Sequence, residues 1–166
     1  MKNIDRLKHK ICSLEQAIIK LDDWKSRSEK IVFTNGCFDL IHKGHIQLLS
    51  NASDLGDRLI VALNSDRSIR KIKGNSRPIF DQSSRSMLLS ALEFIDLVIL
   101  FDDITPRQII SDLSPHILVK GGDYHPEDIV GYNIVKERGG DVVIIPLVEG
   151  FSTTKTIDRI LKNQNG

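Results

Sequence analysis

Ile31-Val32-Phe33-Thr34-Asn35-Gly36-Cys37-Phe38-Asp39-Leu40-Ile41-His42-Lys43-Gly44-His45 is the stretch on which the fold turns. It opens with a short apolar, β-rich run, Ile31 to Thr34, which meets Asn35-Gly36, and an amphipathic segment from about Gly44 to Leu55 follows. This is a strand, a loop and a helix. If the helix begins near His42, both imidazoles fall on one side of its first turn, beside free backbone N–H groups and the positive end of the dipole. Gly44 keeps that turn free of a side chain, so a ligand can approach the backbone closely. The arrangement suits phosphate. Two solvated helix histidines are the plain alternative, and a metal site is a weak one, because H-E-x-x-H is absent.

Working outward, Leu59 to Leu63 reads as a second buried strand ended by Asn64-Ser65-Asp66, and Gln82 to Leu92 as a helix. Leu97 to Leu100 gives a strand, Thr105 to Leu113 a helix opened by Thr-Pro, and Ile117 to Val119 a strand ending at Lys120-Gly121-Gly122-Asp123. A helix over Ile129 to Arg138, a strand over Val142 to Ile145 and a last helix from Thr153 to Lys162 complete the series. Strands without polar alternation, separated by helices, imply a parallel sheet covered on both faces. The expected fold is therefore single-domain, doubly wound α/β. In such sheets ligands bind beyond the carboxyl ends of the strands, where Asn35 to His45, Asn64 to Asp66 and Lys120 to Tyr124 sit. Arg67 to Asp81 reads as a long connection without a strong period, rich in Lys and Arg and suited to cover a polyanion.

Ahead of this lies a stripe, Ile4, Leu7, Ile11, Leu14, Ile18 and Leu21, at helical steps of three and four. Ser13 and Gln16 read as a capping box, dividing the stretch into two helical pieces. Residues 1–29 are thus expected to be a helical leader, packed on a domain of residues 30–166 or in a dimer interface of a homo-oligomer. The 166 residues, 40% of them hydrophobic, can bury one core but hardly two. Lys plus Arg number 23 against 22 for Asp plus Glu, so no charge excess argues for nucleic acid or an anionic membrane as partner. With no apolar stretch near the roughly 20 residues a bilayer requires, and a polar start, the expected location is cytoplasmic. The two cysteines form no disulfide framework.

Thr34 to His45 resembles the signature of the cytidylyltransferase-like superfamily, and supporting blocks follow in order. They are Val61 to Asp66, Lys73 to Pro78, Leu118 to Tyr124 and Gly150 to Thr154. The match is most similar to heptose-1-phosphate adenylyltransferases. That resemblance implies transfer of AMP from ATP to a sugar 1-phosphate, D-glycero-D-manno-heptose 1-phosphate, with Mg²⁺ accompanying the triphosphate.

By the same resemblance His42, His45, Lys73 and Arg85 would be catalytic, ranked above Lys71, Arg70 and Arg77 as phosphate holders. Asn35, Gly36, Cys37, Phe38 and Asp39 would line the nucleotide loop, Asp39 orienting the loop or a histidine rather than acting as a base. Lys120 and Gly121 would join them, as would Ser152, Thr153 and Thr154 at a helix start. Asn64, Asp66, Arg77, Asp123 and Tyr124 would meet the substrate. Glycerol phosphate cytidylyltransferases carry an arginine where this chain has Leu147, which argues against glycerol 3-phosphate as acceptor. A cytidylyltransferase for a polyol phosphate and a catalytically silent nucleotide-binding module are the alternatives. G-x-G-x-x-G after the first strand and G-x-x-x-x-G-K-[ST] are both absent, which sets aside dinucleotide oxidoreductases and P-loop enzymes.

Overall fold

The unalternating apolar runs become a six-stranded parallel sheet in the computed structural model, which describes residues 2–148 and 150–163. The strands are β1 (Ile11–Cys12), β2 (Ile31–Gly36), β3 (Arg58–Asn64), β4 (Leu97–Phe101), β5 (Ile117–Gly121) and β6 (Asp141–Ile145). Their spatial order is β1-β4-β3-β2-β5-β6. The helices are α1 (Asn3–Lys10), α2 (Leu14–Ser26), α3 (Lys43–Ser53), α4 (Asp66–Lys73) and α5 (Gln82–Ser90), then α6 (Arg107–Leu113), α7 (Tyr132–Glu137) and α8 (Thr153–Asn163).

Alternation along each strand sends neighbouring side chains to opposite faces, and both faces are apolar. Ile31, Phe33, Ile60 and Ile99 pack with Ala17, Leu21 and Trp24 of α2, with Ile109, Ile110 and Leu113 of α6 and with Val135 of α7. Val32, Val61, Leu63 and Val98 pack with Leu49 and Ala52 of α3 and Leu89 of α5. The expected doubly wound α/β architecture is what forms. Among the described residues no helix is long and apolar enough to cross a membrane.

Two sequence expectations need correction. The stripe from Ile4 to Leu21 is broken where Ile11 and Cys12 become a short edge strand, paired in parallel with Val98 and Ile99. The break falls at the capping box: Ser13 Oγ accepts from the Gln16 N–H at 3.3 Å and Gln16 Oε1 accepts from the Ser13 N–H at 3.0 Å. The supposed loop after β3 contains α4, capped by Ser65, whose Oγ accepts from the Ser68 N–H at 3.1 Å. Its period was hidden because Ile69 and Ile72 are its only apolar residues.

Candidate active site

At the carboxyl end of β2 the chain leaves the sheet at Gly36 and enters α3, with His42 as N-cap. The His42 side chain makes no capping bond. Its ring stacks on that of His45, centroids 3.9 Å apart and planes at 18°, while Phe38 stands edge-on to His45 at 5.3 Å. Both Nδ1 atoms are buried without a hydrogen-bond partner among the described residues. Burial holds His45 down to about 4, helped by the charges of His42 and Lys73 and opposed by the Leu40 backbone; burial lowers His42 as well. The room expected for a ligand at Gly44 is taken by protein. A Cβ there would meet His42 Cε1 at 3.1 Å and Phe151 Cβ at 3.3 Å, so Gly44 lets the imidazole and the approach to α8 lie against the helix.

Asp39, 2% exposed, does not orient a histidine. It accepts from the N–H groups of Ile79 at 2.8 Å and Phe80 at 3.0 Å and from Arg77 Nε at 2.5 Å, so it ties the β2 loop to the segment before α5. Its burial alone would push its carboxyl up, but the Phe80 and Ile79 N–H groups and the Arg77 guanidinium outweigh that and hold it below the usual carboxylate range.

Arg85 is wholly buried and lies beneath the site rather than in it. Its Nε donates to Phe80 O at 2.9 Å, its Nη1 to Cys37 O at 2.7 Å and Asn64 O at 2.9 Å, and its Nη2 to Asp66 Oδ1 at 2.7 Å. With its guanidinium committed to four protein oxygens, Arg85 has no fork to offer a phosphate. Its assignment as a catalytic phosphate donor gives way to a positioning role, and one carboxylate oxygen of Asp66 is engaged by the same guanidinium.

A cavity of about 500 Å³ lies over these loops. Its wall brings together Asn35, Gly36, Cys37, Phe38, Asp39, His45, Asn64, Lys73, Arg77, Lys120, Tyr124 and Thr153. His42 stands behind His45, while Arg85, Asp66, Gly121, Asp123, Ser152 and Thr154 are outside the wall. Gly121 packs on Leu48 and Leu147. Lys120 has no hydrogen-bond or ion-pair partner among the described residues, and burial lowers it, with Cys37 pulling the other way.

Sequence reasoning missed the apolar part of the wall. Ile72, Ile104 and Val130, 44%, 64% and 41% exposed, edge the cavity together with Thr105 and Pro106. The signal was available: Ile104 to Pro106 follow the carboxyl end of β4, where the same strand-end rule applies.

A doubly wound sheet with a stacked histidine pair at a helix N-terminus, over a cavity carrying Lys73, Arg77 and Lys120, defines a nucleotide-handling α/β protein. Residues 33–163 match the family described as cytidylyltransferase-like; the chain belongs to that family and is a nucleotidyltransferase. It is 53% identical over 136 residues to the bifunctional protein HldE of Koribacter versatilis, an alignment covering 82% of this chain and 28% of that protein. The chain thus spans about three-tenths of the length of the curated relatives it matches. A solved structure of a lipopolysaccharide core biosynthesis protein from Thermoplasma volcanium is 29% identical, with a TM-score of 0.59, covering 72% of this chain and 97% of that one. The pantoate-beta-alanine ligase of Francisella tularensis, 15% identical with a TM-score of 0.61 over 82% of this chain and 66% of its own, shares the fold.

Proposed function

We propose that the chain transfers AMP from ATP to D-glycero-D-manno-heptose 1-phosphate, giving ADP-heptose and pyrophosphate. A phosphate oxygen of the sugar phosphate attacks the α-phosphorus, the bond from that phosphorus to the oxygen bridging to the β-phosphate breaks, and pyrophosphate leaves with the electron pair. The acceptor is already ionised, so no protein nucleophile or general base is required. What the protein supplies is positive potential where anions meet. The observation that carries the reading is the convergence of Lys120 and Lys73, the Asp39-paired Arg77, and His45 with His42 stacked behind it, on one cavity above the α3 N-terminus.

The choice of acceptor is supported by identity to proteins named HldE, by the neighbour's lipopolysaccharide title, and by the resemblance of Lys120 to Tyr124 to heptose-1-phosphate enzymes. Leu147, 61% exposed beside Gly121, offers no cation where glycerol phosphate enzymes carry arginine. Mg²⁺ belongs to the substrate here. As the triphosphate's companion it would be held by phosphate oxygens and water.

The test is pyrophosphate release with ATP or CTP against heptose 1-phosphate or glycerol 3-phosphate. ATP with heptose 1-phosphate should lead in kcat/KM by at least about tenfold. Equal efficiency, or a lead for CTP with glycerol 3-phosphate, overturns the assignment.

A further inference from the structure

A second cavity, about 630 Å³, adjoins the first, and the two share Ile104 and Thr105 in their walls. Its position follows from the strand order. β2, which feeds the histidines, has β4 on one side beyond β3, and β6 on the other beyond β5. Ile104 and Thr105 follow β4, whereas α8, with Thr153, follows β6, and Phe151 sits 6.0 Å from His42. The start of α8 and the start of α3 therefore lie together on one side, and helix starts favour the most highly charged group present, the pyrophosphate. In an in-line displacement the attacking oxygen enters opposite the leaving group. The acceptor must then come from the β4 side, where the second cavity lies.

We infer that this second cavity receives the polyhydroxylated tail of the acceptor sugar and sets the enzyme's choice among sugar 1-phosphates; the inference rests on the transfer proposed above. Its chemistry is that of a polyol site. Arg67 and Asp102 are paired at 2.8 Å, and Asp102 also accepts from Ser65, so these two side chains already have partners. Asp103, Thr105 and Arg107 make no side-chain hydrogen bond or ion pair among the described residues, so an acceptor, a hydroxyl and a donor stand free side by side. The Asp103 backbone is held in place, its carbonyl accepting from Ser68 Oγ at 2.9 Å. Neighbouring hydroxyls on a carbon chain need this mixture of donors and acceptors. Lys71 and Gln108 add further donors to the wall, and Ile104 gives the C–H face of a sugar an apolar surface.

Mannose 1-phosphate supplies the control, because it presents the same ring without the terminal carbon and hydroxyl of the heptose. Steady-state rates with ATP would be measured for both acceptors in the full chain and in Asp103→Ala, Arg107→Ala and the shape-conserving Thr105→Val. Wild type should favour heptose 1-phosphate in kcat/KM, and that preference should shrink at least about tenfold in Asp103→Ala or Arg107→Ala, through KM. A wild type that uses both acceptors equally, or a preference unchanged in all three variants, overturns the inference while leaving the transfer itself standing. A wild type that releases no pyrophosphate with heptose 1-phosphate brings down the proposed transfer, and this inference with it.

Discussion

His42 and His45 lie face to face, 3.9 Å between ring centroids, and neither Nδ1 has a hydrogen-bond partner among the described residues. At the start of α3 each imidazole still has a ring N–H to offer an incoming anion, beside the free backbone N–H groups of the first turn. Replacing either by Ala should lower turnover by at least about a hundredfold, the scale set by losing a preorganised donor to a charge-developing transition state. Far-UV circular dichroism should stay unchanged. Near-normal turnover in both variants would remove the histidines from the mechanism.

The burial of His45 makes stability depend on pH. Burial, joined by the charges of His42 and Lys73, takes His45 from its ordinary 6.5 to about 4. Between those values the unfolded chain binds a proton that the folded chain does not, so stability falls as the pH drops through that window and is fully regained above it. Urea midpoints at about pH 7 and about pH 4.5 would show the loss. In His45→Gln the difference should narrow, with a remainder from His42 and His116, both lowered by burial. An unchanged difference in that variant would place the titration elsewhere.

Arg85 should prove to be a residue of stability first and of activity through geometry. Its removal leaves the carbonyls of Phe80, Cys37 and Asn64 without their donor and Asp66 without its cation. Arg85→Ala should cost about 3–5 kcal/mol in urea denaturation. Arg85→Lys, with a point charge in place of a fork, should cost less and still raise the KM for ATP, because the β2 loop loses its anchor. An alanine variant within about 1 kcal/mol of wild type would contradict the role.

That role also marks where reading the sequence stops. The strand cores were legible because Ile31 to Thr34 or Leu59 to Leu63 carry no polar alternation. The histidine pair was legible because three-residue spacing at a helix start fixes geometry by itself. Arg85 looked like a phosphate ligand, since nothing in its neighbourhood announces that oxygens from positions 37, 64, 66 and 80 converge on it. Such convergence is a product of sheet order, not of spacing. Likewise β1 was unreadable: Ile11 stays in phase with the helical stripe on either side, and only pairing with β4 makes it a strand.

Turnover should require Mg²⁺, since Lys73, Lys120 and the Asp39-paired Arg77 do not by themselves offset a triphosphate meeting a sugar phosphate. The apo protein should keep its melting temperature in excess chelator while the reaction stops. Full activity under chelation would contradict an ion carried by the nucleotide.

The order β1-β4-β3-β2-β5-β6 leaves β4 flanked by β3 on one side and by Ile11 and Cys12 on the other. Without the first 26 residues, Val98 and Ile99 would lose their partners, and the edge of Leu97-Val98-Ile99-Leu100-Phe101, a strand with no charge and no proline, would be open along its length. Ala17, Leu21 and Trp24 would no longer cover the adjoining core. Strands of that kind pair with one another across molecules. The expected consequence of removing the short leading segment is self-association: light scattering from a chain lacking residues 2–26 should climb with concentration where the full chain stays clear, and equal scattering from both would contradict it.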